Sequence, residues 1–369
     1  MLFSAAPPSV WADSPADDSA TLVLAVPLEG PLARFGQSAV NGAELALSTL
    51  GGGFGMTIVD ESTPLPDDLS FQNVPVIAGY FTESRLAEDA PRYIYLKKAV
   101  LLPFITTKEG AALGPENFFR LMPTSSEQGE YLAMQVLTMK KRPRRILIIA
   151  APGETNSALA ETFTATLAAP IQPPEPPATP GKRAPKKTEP IKPLDKNAQV
   201  VTIDQEADLT AIPEFAKNSP ELIIVAVNPP AGIELAPRLG ASKFSKVPVW
   251  GGTSLGFREV GAAFESFRLN LSLALPVDLS ASGGAVKDFR TAYINEYKIQ
   301  PTWIAALAYD SINLAIKAVS STAASGNVAA FLNGNSHHAL GTYELAPGGG
   351  GRPPLAMMAI KTETLGYLP

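Results

Sequence analysis

Apolar residues along the chain gather into short continuous runs: TLVLAV (21–26), MTIVD (56–60), VPVIAGY (74–80), AVLLPFI (99–105), RRILIIA (144–150), ELIIVAV (221–227) and VPVW (247–250). Runs of Val, Ile and Leu without polar alternation, bounded by turn residues, predict strands covered on both faces, as in parallel sheets. Between them the period becomes helical. Val40, Ala43, Leu47 and Leu50 share one face of a stretch after the first run, and Leu132, Val136 and Met139 share another. TWIAALAYDSINLAIKAV (302–319) is apolar nearly all round, which predicts a buried helix. This alternation predicts an α/β class built from βαβ units with parallel-type sheets.

Length and composition refine that picture. A chain of 369 residues exceeds one ordinary core and suits two lobes of roughly 120 to 170 residues each. With 46% apolar and 18% charged residues the body is globular, and no apolar run reaches the roughly 18–20 residues of a membrane helix. A net charge of −5 argues against nucleic acid as a partner. The absence of cysteine removes thiolate metal sites, iron–sulfur clusters and disulfides. Glycine clusters at 51–55 and 348–351 lack the spacing that cradles phosphate, and His337 and His338 have no carboxylate companion within five residues. No cofactor or metal is therefore expected. The basic run KKRPRR (140–145) reads as a solvated charge run between a helix and a strand.

Two segments fall outside any core. Residues 1–19 read as a signal remnant or disordered tail, in which "VWA" before Asp13 looks like the end of a cleavage site. A Pro- and Lys-rich insertion at about 170–198 has little to bury and predicts an extended loop. The glycine-rich GGGGRPP (348–354) reads as a loop as well.

Candidate chemistry lies at the ends of the strands. In open α/β sheets ligands sit beyond the carboxyl ends of strands, where free backbone amides and helix N-termini converge. The stretch PLEGPLARFGQSAVNGAELAL (27–47) places Gly30, Pro31, Phe35 and Gly36 there, with Phe35 as a stacking wall or a plug under the turn. At the next strand ends FTES (81–84) and FITTKEG (104–110) gather Thr82, Glu83, Ser84, Thr106 and Thr107. Their hydroxyls fix a small ligand or cap helices.

In this order, PLEGPLARFGQSAVNGAELAL, VPVIAGYFTES, VLLPFITTKEG, FFRLMPTSSEQGEYLA and AALAYDSINLAIKAV resemble the type I periplasmic substrate-binding proteins, especially the branched-chain amino-acid group of ABC transporters. The resemblance spans most of residues 20–345. It implies two Rossmann-like lobes joined by three crossover strands near Thr124–Ser125, Pro276 and Leu340, closing by hinge motion on a solute. Lobe 1 would comprise 20–124 plus 277–340, and lobe 2 would comprise 125–276 plus 341–369. The family's carboxylate-binding Ser and Thr match the turn at 79–84 and Thr106, and its cleft aromatic falls near Phe35. Its Tyr position falls on about Thr155 and its ammonium-pairing acid on Thr253, while Glu83 replaces the Ser. A desolvated ammonium without a carboxylate costs several kcal/mol, so the implied solute carries no free α-ammonium group. Residues 61–73 are too short for the family's second helix.

The resemblance thus implies an exported, monomeric, non-enzymatic receptor with a small-molecule solute and a membrane permease as partners. Its binding residues would be Phe35, Thr82, Glu83, Ser84, Thr106, Thr155, Thr253 and Tyr309. Two alternatives stay open. One is a protein-interaction module of the same fold without a solute, similar to activators of cell-wall synthases. The other is a serine hydrolase, since GTSLG (252–256) fits a nucleophile elbow and Ser254, Asp310 and His337 or His338 follow in triad order.

Overall fold

A computed structural model describes residues 20–65, 73–172, 189–322, 326–334 and 336–366. The N-terminal residues 1–19, the middle of the insertion and most of the shortened segment after Glu61 lie outside these. The first half of the chain forms β1 (Thr21–Val26), α1 (Ala33–Leu50), β2 (Gly55–Asp60), β3 (Val76–Gly79), α2 (Glu83–Tyr95), β4 (Ala99–Leu102), α3 (Lys108–Ala112) and β5 (Phe118–Arg120). There follow α4 (Ser125–Thr138), β6 (Arg145–Ala150), α5 (Glu154–Ala168), β7 (Gln199–Asp204), β8 (Leu222–Ala226), α6 (Pro229–Ala241), β9 (Val249–Gly251), α7 (Arg258–Ser266) and β10 (Leu271–Leu275). The chain closes with α8 (Gly284–Tyr297), α9 (Trp303–Thr322), α10 (Val328–Leu332), β11 (Ser336–His338), β12 (Thr342–Glu344) and β13 (Ala356–Ala359).

The strands make two sheets of one plan. The first has the order β2-β1-β3-β4-β5, all parallel, and the second the order β7-β6-β8-β9-β10 with β13 added antiparallel at the edge. Each is therefore a 2-1-3-4-5 open sheet whose strand order reverses beside its first strand. Leu22 through Val26 and Leu222 through Ala226 are fully buried, because helices cover both faces of a parallel sheet. The fold class is α/β with two Rossmann-like lobes.

Small residues set how closely the helices approach. α1 lies against α9 at Gly42, where a Cβ would stand 2.0 Å from the Ala305 carbonyl oxygen. α4 lies against α5 at Gly129, where a Cβ would stand 2.4 Å from the Leu159 oxygen. α9 is buried along nearly its whole length, as its all-round apolar sequence predicts.

Three segments connect the two sheets: 121–124, 276–283 and 345–355. Thr124–Ser125 and Pro276 lie at the first two. Leu340, where a third crossover was expected, instead lies at the tip of the β11–β12 hairpin. The buried Asp310 of α9 fixes that hairpin by accepting from the Leu340 N–H, the Gly341 N–H and the Tyr343 hydroxyl. The glycine-rich loop wraps Arg120, whose guanidinium donates to the carbonyls of Met122, Gly349 and Gly351 and pairs with both Glu127 oxygens. At the base of the insertion Ile171 and Ile191 exchange both backbone hydrogen bonds, at 3.1 and 2.8 Å.

Candidate functional site

The turn after β3 is built on two left-handed residues. Gly79 has φ +129° and a Cβ there would meet the Ala25 oxygen at 1.9 Å, so both conformation and close approach require glycine. Tyr80 follows at φ +65°, an uncommon conformation for a bulky residue. Its phenol is anchored in the core by Asp89 at 2.8 Å and by Tyr93, and Arg85 pairs with that same Asp89. The bend leaves Phe81 and Thr82 at the carboxyl edge of the first sheet.

Glu61, one residue past β2, reaches across this edge. Its buried carboxylate accepts from the Phe81 N–H at 2.8 Å and from the Thr82 hydroxyl at 2.9 Å. Burial pushes its pKa up to about 7, opposed by those two hydrogen bonds. At the neighbouring strand end Thr107 donates to Glu83 at 2.6 Å and caps α3 through the Gly110 N–H. Thr106 beside it is half-buried and makes no side-chain hydrogen bond among the described residues.

Aromatic rings link the edges of the two sheets. Phe104 stacks on Phe81 with centroids 4.0 Å apart, and Phe81 meets Phe35 edge-on at 6.4 Å. Phe35 then meets Phe257, which follows β9 in the second sheet, edge-to-face at 5.5 Å, and Phe257 lies 5.9 Å from Trp303. Ring pairs in such tilted and offset geometries are mutually attractive. Trp303 is 8% exposed, and its indole N–H is buried without a hydrogen-bond partner among the described residues. Outside the rings, the exposed Arg34 pairs with Glu259 at 3.8 Å, a second link between the rims.

Phe35, Thr82, Glu83 and Thr106 therefore share the carboxyl edge of the first sheet. Thr253 belongs to the turn that carries Phe257, yet it is 2% exposed. Both its N–H and its hydroxyl donate to Gln128 Oε1, at 2.9 and 2.7 Å. Ser84 and Thr155 are exposed on the first turns of α2 and α5. Tyr309 is half-buried two turns along α9 from Trp303, with its ring 4.9 Å from Phe289 of α8.

The hydrolase arrangement is not assembled. Ser254 donates to the Val227 carbonyl, and Asp310 is committed to the hairpin backbone and Tyr343. His337 Nε2 bonds the Leu332 carbonyl and His338 Nδ1 the Thr342 hydroxyl. Each group belongs to a separate hydrogen-bond system, and neither Asp310 nor either histidine is hydrogen-bonded to Ser254. Among the described residues no three His, Asp or Glu side chains converge to hold a metal, and no helix is long and apolar enough to cross a membrane. A cavity of about 680 Å³ opens at the opposite, amino-terminal edge of the first sheet, between Lys97, Lys98 and Val319.

Sequence reasoning passed over Glu61, Phe81, Phe104, Gln128, Phe257 and Trp303. Phe81, Phe104 and Phe257 each lie in the segment that follows a strand, as Phe35 does, and that recurrence was available as a signal. Gln128 and Glu61 carried none, because their partners are distant in sequence.

No family model matches the sequence, and no curated protein matches it. The fold is that of the two-lobed type I periplasmic binding proteins. Among similar solved structures is a branched-chain amino acid ABC transporter protein from Rhodospirillum rubrum, with a TM-score of 0.70 at 17% identity, covering 95% of this chain and 100% of that one. LivJ of Streptococcus pneumoniae, solved with isoleucine, aligns with a TM-score of 0.63 at 14% identity over 93% and 99% of the two chains. A solute-binding protein from Rhodopseudomonas palustris, solved with 3,4-dihydroxybenzoic acid, gives 0.65 at 17% over 94% of each.

Proposed function

We propose that this protein is a non-enzymatic receptor that takes a small solute between the facing edges of its two sheets and presents it to an ABC-type membrane permease outside the cytoplasm. The observation that carries the reading is the aromatic chain from Phe104 to Trp303, which ends on a buried indole N–H with no partner among the described residues. A flat apolar body would intercalate among these rings, and a single acceptor atom would take the Trp303 N–H. Thr82 and Thr106 offer hydroxyls at the same edge. Thr253 provides no carboxylate for an ammonium group, which disfavours α-amino acids. Fold neighbours solved with benzoate and with p-hydroxybenzoic acid support an aromatic acid as the solute class.

A thermal-shift screen of aromatic acids against branched-chain amino acids tests this. A solute at 100 times its Kd stabilises by about 2.7 kcal/mol, and Trp303→Phe, which keeps the ring and removes the donor, should weaken its binding about tenfold. Stabilisation by isoleucine alone, or by neither group, would refute the solute class.

The direct contact between Phe35 and Phe257 favours a second reading. Rings that pack directly on one another between the edges suit an interaction module of this fold that takes no solute. Co-purification of no small molecule, with no thermal response across a broad library, would select it over the first.

A further inference from the structure

Glu61 occupies a place that neither helix capping nor core packing explains. Its backbone N–H extends the ladder to the Val26 carbonyl at 3.0 Å, just beyond the last β1–β2 pair, Val26 with Asp60. Because β1 lies between β2 and β3, the side chain must pass over the end of β1 to reach the turn that follows β3. It thus spans the point where the strand order reverses, the place at which open α/β sheets take ligands. There it holds two consecutive residues at once: the Phe81 N–H and the Thr82 hydroxyl.

We propose that Glu61 is the positioning residue of the first rim: by gripping Phe81 and Thr82 together it fixes where the aromatic chain and its adjoining hydroxyl stand, and proton uptake by Glu61 loosens that grip. The consequence for solute binding rests on the receptor reading; the grip itself does not. An ionised carboxylate accepts both hydrogen bonds with full charge assistance, whereas the acid form has lost its charge and turned one oxygen into a donor. The left-handed turn at Gly79 and Tyr80 supplies a segment that needs such restraint. The charged group that acts on Glu61 is Asp60, a like charge that favours proton uptake. Asp60 is itself occupied by the Leu28 and Ser62 N–H groups and the Ser62 hydroxyl. On α2 the nearest acid, Glu83, is engaged by Thr107, and on α1 Arg34 pairs with Glu259 across the rims.

The test uses the full chain without ligand, labelled with ¹⁵N and ¹³C. The Phe81 amide shift and the Glu61 side-chain carboxyl shift, followed from pH 5 to 9, should show one shared inflection near neutrality. Glu61→Gln keeps an acceptor and should abolish the inflection at Phe81 while other core amides hold their positions. At pH 8 the Phe81 amide should exchange about tenfold or more faster in Glu61→Gln than in the native protein. A pH-independent Phe81 amide in the native protein, or an inflection that survives in Glu61→Gln, overturns the proposal. The native titration alone decides the matter if the variant does not fold. Because no solute is present, failure to find one leaves this result standing.

Discussion

The buried guanidinium between the two sheets yields a prediction about order, not only size. Arg120 is 1% exposed, and its side chain enters the segment 121–124 and the glycine-rich loop at once. Its only carboxylate partner among the described residues is Glu127, at 2.7 and 2.8 Å, with 24% of the Glu127 side chain reaching solvent. The two ends of this pair therefore differ in what happens when the other is removed. Glu127→Gln leaves a fully enclosed cation facing neutral acceptors, the situation that costs about 3–5 kcal/mol. Arg120→Met keeps the apolar stem and leaves a carboxylate that turns toward water and still accepts from the Thr124 N–H at 2.8 Å. The remaining cost is three freed carbonyls, of which those of Gly349 and Gly351 had only long bonds of 3.4 and 3.3 Å, so about 2 kcal/mol is expected. The double variant removes the stranded cation and should be more stable than Glu127→Gln alone by about 1–2 kcal/mol. Urea unfolding read by circular dichroism measures all three, and with a slope of about 3 kcal/mol/M the midpoints differ by several tenths molar. Added salt at 0.5 M should leave the differences intact, since enclosed pairs are little screened. If Arg120→Met is as damaging as Glu127→Gln, or the double variant is no better than Glu127→Gln, the reasoning fails.

Acidification should stabilise the protein over part of its range. Burial raises Glu61 and Asp310 to about 7 from their ordinary 4.5 and 3.8, so between these values the folded chain binds more protons than the unfolded one, and stability is lost as pH rises toward 7. The urea midpoint should be higher at pH 5.5 than at pH 8, and Asp310→Asn should flatten the difference; a midpoint that climbs with pH contradicts this. Gly42→Ala forces a methyl against the Ala305 carbonyl and should cost at least about 1–3 kcal/mol, whereas Gly52→Ala, which meets nothing within 4 Å, should cost less than about 1 kcal/mol by the same unfolding assay. Replacing residues 173–188 with a four-residue Gly-Ser link should leave the melting temperature within about 2 °C of native, because Ile171 and Ile191 already meet.

The parts of this fold that were legible in sequence are those whose cause is local. β1, β4, β6 and β8 announce themselves as continuous apolar runs because helices cover both their faces. β5 has only three residues, and β7 at the sheet edge is half-exposed, so neither presents such a run. The shared strand order of the two sheets is a property of pairing between distant segments, and no local pattern encodes it. Within the site, strand ends pointed to Phe35, Thr82, Glu83 and Thr106. Thr253 was placed by its match to the family's ammonium-pairing acid, and the partner that takes up its hydroxyl lies 125 residues away in sequence. Glu61 reads locally as one more turn acid after a strand; only the position of β3 makes it a bridge.

The distribution of bond strengths bears on how such a molecule would open. At the connecting segments an enclosed ion pair and the α4 capping box of Thr124 and Glu127 hold the chain, and breaking that system costs several kcal/mol. At the rims, among the described residues, Phe257 meets both Phe35 and Trp303, about 0.5–1.5 kcal/mol each, and one exposed ion pair adds about 0–1 kcal/mol. Separation of the rims is therefore the cheaper motion, and it turns about segments that stay intact. Ring and ion-pair links of that combined size favour the closed arrangement by up to about three orders of magnitude. A guest that replaces the Phe35–Phe257 contact with contacts to both rings alters the balance only by what it gains beyond that pair. Phe257→Ala should then shift the resting population toward open forms, seen as a larger radius of gyration in solution scattering, while Arg120 and its partners keep the hinge in place.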